Sequence, residues 1–169
     1  RGAISAAAVT RYLAAGRQRG VLILSGLSGA GKSTAAAFAA WSTAGWFSAR
    51  SVWSTVPEYG ATDRGALEAM TAVQGVLVLD EVLRVTPSGM ALDTKAQSEL
   101  VFTVAQERHE AGLGTILTTQ SAKDDLTAIF GTGAEQLLRR ARSGHDLAGA
   151  PETGGFVECS AAARPSEDR

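Results

Sequence analysis

The apolar positions fall into short continuous runs separated by longer stretches of helical period. Residues 21–24 (VLIL) and 76–79 (VLVL) are unbroken apolar runs, and residues 115–119 (TILTT), mostly β-branched, form a third strand-like run. Runs without alternation mark strands covered on both faces, as in a parallel sheet. Residues 46–53 (WFSARSVW) and 154–159 (GGFVEC) read as two further strands. Between them the period changes to 3.6. A first helix over 4–15 places Ile4, Ala8, Tyr12 and Ala15 on one face, with Gly16 as its stop. An alanine-rich helix runs through about residue 44 to Gly45, and 63–73 turns Leu67 and Met70 inward before Gly75. Thr94 and Gln97 stand at capping-box spacing ahead of Leu100, Val101, Val104 and Arg108, and Gly112 closes that helix. Ser121 and Asp124 repeat the spacing for a short helix through Leu126, Ile129 and Phe130, which Gly131 and Gly133 break before a last helix over 134–143. Strands alternating with helices predict one α/β domain: about five parallel strands with helices on both faces, a three-layer sandwich.

The first strand leads into GLSGAGKST, in which Gly26, Gly31, Lys32 and Ser33 match G-x-x-x-x-G-K-[ST]. This is a phosphate-binding loop. Gly26, Leu27, Ser28, Gly29, Ala30, Gly31, Lys32, Ser33 and Thr34 form it; the glycines let backbone N–H groups turn inward around an anion, and the following helix aims its positive dipole end at the same place. Lys32 is expected to reach the β and γ phosphates, and Ser33 to offer its hydroxyl to magnesium. The ligands are ATP or ADP with Mg2+.

The second motif is the acidic end of the 76–79 run, Asp80-Glu81. In an open parallel sheet ligands sit outside the carboxyl ends of the strands, where the phosphate loop also lies. Asp80 is placed to hold the metal and Glu81 to polarise the attacking water as general base. Gln120 ends the third run, either to sense the γ phosphate and orient water or to cap the next turn. Arg139, Arg140 and Arg142 crowd a helix end where Glu135 is the nearest acid. They read either as a solvated basic end that suits the helix dipole or as an arginine finger offered to a neighbouring subunit, with phosphate or DNA-backbone contact a further use.

At 169 residues, 45% apolar and 20% charged, the chain suits a single globular domain, with residues 1–159 as its core and 160–169 as a polar, fraying tail. A net charge of −1 supplies no global attraction to nucleic acid, so DNA contact needs a local basic patch. One cysteine, Cys159, makes no intramolecular disulfide, which points to the cytoplasm. No apolar stretch approaches the ~20 residues of a membrane span. The opening RGAIS lacks an initiator Met and reads as part of a longer protein with an N-terminal partner-binding region upstream.

The order of phosphate loop, strand, Asp-Glu strand, Thr-Thr-Gln strand and arginine-bearing helix resembles the additional-strand branch of P-loop ATPases, and within it the AAA+ fold with its RecA-like core; no C-terminal helical lid is read. Leu79-Asp80-Glu81, the helix end at residues 106–110, residues 115–120, Asp125-Leu126 to Phe130-Gly131 and Leu138-Arg139-Arg140 resemble DnaC-type helicase loaders and the related IstB transposition ATPases, over about residues 20–142. In that family Asn usually follows the Thr-Thr pair, where this chain has Gln120. The resemblance implies an ATPase completed at a subunit interface in a homo-oligomer, with Lys32, Glu81, Gln120 and Arg140 catalytic, and Arg139 or Arg142 as alternatives for the finger. It further implies a replicative helicase or a transposase as partner and single-stranded DNA in a central channel, which Arg84 and Lys95 would face. Two rivals remain: a small-molecule kinase of the adenylylsulfate-kinase kind, whose loop GLSGAGKST approaches and whose lid the arginines would form, and a switch that binds ATP with little turnover.

Overall fold

The structure, a computed structural model, describes residues 2–14, 20–48, 64–142 and 155–159. Five strands, β1 (Gly20–Ser25), β2 (Trp46–Ser48), β3 (Leu77–Leu79), β4 (Gly114–Thr119) and β5 (Gly155–Glu158), form one sheet in the order β2-β3-β4-β1-β5. Every pairing is parallel, and β1 runs in register with β4 over its whole length, Gly20 opposite Gly114 and Ser25 opposite Thr119. β4 therefore lies between the phosphate-loop strand and the acidic strand. The α/β expectation of about five parallel strands holds.

Alternate residues of each strand feed two cores. Val21, Ile23, Leu77, Leu79 and Leu117 face α3 (Arg64–Ala72), α4 (Lys95–Glu110) and α5 (Lys123–Arg142). Leu22, Leu24, Val78 and Ile116 face α1 (Ala3–Ala14) and α2 (Lys32–Ser42). α2 meets the sheet through Ala35, Ala36, Ala39 and Ala40, whose small side chains let the helix sit close. The capping box of α4 is present in full: the Thr94 hydroxyl accepts from Gln97 N–H and the Gln97 amide oxygen accepts from Thr94 N–H. α5 is two helical pieces joined at Gly131 (φ 57°, ψ −138°), the break expected there.

Two local expectations are corrected. The inward face of α1 is Ser5, Ala8, Val9 and Tyr12, and Ile4 is 48% exposed, because the helix is turned so that the Ser5 hydroxyl donates to the Ala30 carbonyl at 2.9 Å. Ser121 does not cap α5. Its hydroxyl donates instead to the Leu83 carbonyl at 2.8 Å, and the first helical carbonyl is that of Ala122, which accepts from Leu126 N–H. The helix stop at Gly16, the strand beyond Ser48 to Trp53, the start of the third helix at Asp63, the strand start at Gly154 and the tail from Ser160 lie outside the described residues.

At the amino-terminal edge of the sheet, Arg108 of α4 is fully buried. Its Nε donates to Thr115 Oγ1 at 3.1 Å. Nη1 donates to the carbonyls of Met70 (3.1 Å), Thr71 (3.4 Å) and Val73 (2.6 Å), and Nη2 to those of Gly75 and Gly114 (both 2.8 Å). The carbonyls at the end of α3 are thereby capped by a cation, which suits the negative end of the helix dipole. Burial lowers the guanidinium pKa to about 10, with the neighbouring Tyr12 acting the other way, so it stays charged at neutral pH. Tyr12, its own pKa raised by burial, donates to the Gly20 carbonyl at 3.0 Å beside it.

Candidate nucleotide site

The phosphate loop leaves the carboxyl end of β1 and closes on the first turn of α2. Gly26, Gly29 and Gly31 all have positive φ (139°, 82° and 76°). At Gly26 a Cβ would stand 2.6 Å from the Cys159 carbonyl oxygen, and at Gly31 one would stand 2.7 Å from Gly2 Cα. The loop thus runs between the end of β5 and the start of α1, too close to either for a side chain. Cys159 N–H donates to Ser25 O at 2.6 Å, Gly26 N–H to Thr119 O at 3.2 Å, and the Ser25 hydroxyl to Ser121 O at 2.7 Å, which ties the loop base to β5 and β4. Leu27, Ser28 and Gly29 form an exposed tip. No side chain caps α2; its N-cap is Gly31, so its first N–H groups are presented to the loop interior.

Lys32, the first residue of α2, is 7% exposed. Its Nζ donates to the carbonyls of Gly26 (2.6 Å) and Leu27 (2.9 Å). Burial lowers its pKa from the usual 10.5, while Cys159, Asp80 and Glu81 nearby act to raise it. An ammonium whose burial disfavours its charge, held by two loop carbonyls, is suited to meet an anion inside the loop.

Asp80 and Glu81 follow β3 directly, and β4 holds them. The Thr118 hydroxyl donates to Asp80 Oδ1 at 2.7 Å and accepts from Glu81 N–H at 2.9 Å. Val82 N–H donates to Thr118 O at 2.9 Å, and Leu83 O accepts from Thr119 Oγ1 (3.3 Å) and Ser121 Oγ (2.8 Å). Both Glu81 (φ 55°) and Leu83 (φ 51°) are left-handed. That conformation costs a residue with a Cβ roughly 1–2 kcal/mol, and the hydrogen bonds from the end of β4 offset it. The Glu81 side chain is consequently launched from a tight turn rather than from a strand.

The strand order brings the phosphate loop, Asp80-Glu81 and Gln120 to one end of the sheet, on the adjacent strands β1, β4 and β3. Gln120 has an exposed side chain. Arg139 and Arg140 lie in the last turns of α5, Arg139 exposed and Arg140 half-buried; the Arg142 side chain lies outside the described residues. Arg84 is committed locally: Nε and Nη2 reach Asp93 Oδ1 at 3.1 and 2.9 Å, and its N–H reaches Oδ2 at 3.0 Å. Lys95 pairs with Glu99 on the surface at 3.6 Å.

The sequence alone points to Gln120 at the strand end and not to Thr118 inside it. Aligning the two acidic and hydroxylic strand ends carries the signal, since the register Leu79 to Leu117 sets Asp80 beside Thr118. For the metal, the donors at hand are a hydroxyl, Ser33, and a carboxylate, Asp80. This set fits Mg2+, which takes one or two protein oxygens and fills its octahedron with phosphate oxygens and water. Among the described residues there is no group of three or more His, Cys, Asp or Glu that would form an all-protein cage. No described helix is long and apolar enough to cross a membrane.

No protein-family model matches the chain, and comparison with curated proteins gives no match. Solved structures do match. A DNA replication initiation factor aligns with TM-score 0.58 and 14% identity over 90% of this chain and 43% of its own. DnaA from Aquifex aeolicus bound to AMPPCP aligns with TM-score 0.58 and 16% identity over 90% of this chain and 44% of its own. The replication initiator DnaA bound to AMPPCP and single-stranded DNA aligns with TM-score 0.58 at 15% identity, with the same coverage. This chain therefore spans less than half the length of these neighbours, and at such identity the likeness concerns the fold.

Proposed function

We propose, for a chain whose fold is that of the P-loop AAA+ ATPase core, that it binds and hydrolyses ATP in the service of DNA replication, as a helicase-loader-like ATPase completed between subunits. The observation that carries this reading is the Asp80-Glu81 pair, locked by Thr118 at the end of the sheet that also bears the phosphate loop. Lys32 would exchange its loop carbonyls for β and γ phosphate oxygens. Ser33 and Asp80 would hold the magnesium, which neutralises charge developing on the phosphates. Glu81 would accept a proton from the attacking water as its oxygen bonds to the γ phosphorus and the bond to ADP breaks, with Gln120 orienting that water. ATP and water become ADP and phosphate. Arg140 would complete the site of the neighbouring protomer, with Arg139 and Arg142 as alternatives, so turnover would report assembly.

The neighbours' bound AMPPCP supports triphosphate binding here, and their replication-initiation setting and bound single-stranded DNA support the biological context. A replicative helicase is the proposed partner, with a transposase as the other candidate. The turn that fixes Glu81 beside Asp80 supports transfer to water over transfer to a bound hydroxyl, for which no second acid is needed.

The test is ATP hydrolysis against protein concentration, with and without single-stranded DNA and without any small-molecule acceptor. Specific activity that climbs with concentration and responds to DNA is the expected result; flat, negligible turnover would sink it. Glu81→Gln should retain ATP and lose about 10²–10⁴-fold in turnover, the usual contribution of a general base. Arg140→Ala should keep nucleotide affinity and lose turnover, and normal hydrolysis by that variant would move the finger elsewhere.

A further inference from the structure

Thr118 is fully buried and stands on β4, between the phosphate-loop strand and the acidic strand. A hydroxyl has one proton to give. Its oxygen already accepts from the Glu81 N–H at 2.9 Å, and the proton goes to Asp80 Oδ1 at 2.7 Å. The chain of bonds has one direction: Glu81 N–H to Thr118 O–H to the Asp80 carboxylate. One end holds an oxygen of the carboxylate assigned to the metal. The other end stabilises the left-handed backbone of the residue assigned as base, at φ 55°.

From this geometry we propose that Thr118 is a positioning residue of the site, aiming the Asp80 carboxylate at the magnesium position and holding Glu81 in its left-handed backbone conformation. The inference rests on the ATPase reading above and deepens it. A partner that orients a metal-binding carboxylate typically matters 10- to 100-fold in metal affinity or activity. Valine at 118 keeps the shape and removes both bonds; serine keeps both bonds.

The experiment titrates Mg2+ against the affinity of a fluorescent ATP analogue, alongside the affinity in EDTA and the steady-state kinetics. In Thr118→Val the Mg2+ concentration for half-maximal tightening should rise about ten-fold, the EDTA affinity should stay within about two-fold, and kcat should fall while KM for Mg-ATP at saturating Mg2+ changes little. Thr118→Ser should restore the wild-type Mg2+ dependence. In an Asp80→Asn background, Thr118→Val should shift the Mg2+ titration no further. If Thr118→Val does not fold, Thr118→Ala, smaller at the same site, carries the same test. A Thr118→Val titration matching wild type, an equal loss in EDTA, or a serine variant as impaired as valine would each overturn the role of Thr118 and leave the ATPase reading standing. A wild-type affinity indifferent to Mg2+ would remove that reading and the proposal with it.

Discussion

Two buried cations sit at opposite ends of the same parallel sheet, each among backbone carbonyls, and they are held in different ways. Arg108, at the amino-terminal edge, spends all five of its N–H groups on five carbonyls and the Thr115 hydroxyl. Lys32, at the carboxyl edge, places its ammonium on two carbonyls, both belonging to the loop it helps form. A planar, fully satisfied guanidinium fixes distant segments to each other: α4, the end of α3, and the starts of β3 and β4. An ammonium on a flexible stem with two partners on its own loop exchanges them readily. The first arrangement is closed and serves the fold. The second is open, as the proposed nucleotide site requires, and the same contrast separates the two edges of the sheet.

The contrast breaks most visibly at Arg108. Arg108→Met keeps much of the aliphatic volume and leaves the carbonyls of Met70, Val73, Gly75 and Gly114 without their donor. Each buried acceptor left unsatisfied costs about 1–3 kcal/mol, and several are left at once, a large share of the about 5–15 kcal/mol that holds a domain. Urea unfolding should show the loss in midpoint, while nucleotide affinity of the folded fraction stays near wild type. A stable Arg108→Met with impaired nucleotide binding would reverse the assignment of the two ends.

Lys32→Met is the reciprocal change. Charge-assisted bonds to phosphate are worth roughly 1.5–3 kcal/mol each, so affinity for ATP should fall by two orders of magnitude or more on titration. Without nucleotide the melting temperature should not drop, because burial works against the lysine's charge in the folded state. A melting temperature that falls as far as that of Arg108→Met would show that Lys32 is structural after all.

What the sequence discloses follows the same division. The strands at residues 21–24 and 76–79 are plain in it because a strand buried on both faces has no polar positions, and the phosphate loop is plain because its glycines and Lys32-Ser33 sit at fixed spacing. The capping box at Thr94 is local and was legible. The same spacing at Ser121 misled, because its hydroxyl is claimed by Leu83, 38 positions away, and no local pattern registers that competition. Ile4 misled because the inward face of α1 is chosen by a polar contact, Ser5 with Ala30, rather than by the larger apolar residue. Arg108 fell on the inward helical stripe, yet what receives it, the carbonyl ends of another helix and of two strands, exists only once the chain is packed. Thr118 required the register between β3 and β4, which neither strand contains alone.

The smallest effect, and the sharpest on the open end, is pH dependence. Lys32 has its folded pKa lowered from 10.5 by burial, so between that lowered value and 10.5 the unfolded chain binds more protons than the folded one. Its contribution to stability in the absence of nucleotide should therefore rise with pH across that window. Nucleotide affinity should fall across the same window, since the ammonium that meets the phosphates is lost. Phosphates with a second pKa of about 6 are already ionised there, so the affinity slope belongs to the protein. Arg108, lowered to about 10 by burial, lies at the other end of the sheet from the phosphate loop, so it adds to the stability slope alone. ATP titrations from neutral pH up to the range of an ordinary lysine, paired with thermal melts of wild type and Lys32→Met, isolate the lysine: the stability slope that Lys32→Met removes is the lysine's. An affinity that holds steady up to the range of an ordinary lysine would mean that Lys32 is not the buried, weakly satisfied cation on which the contrast between the two ends depends.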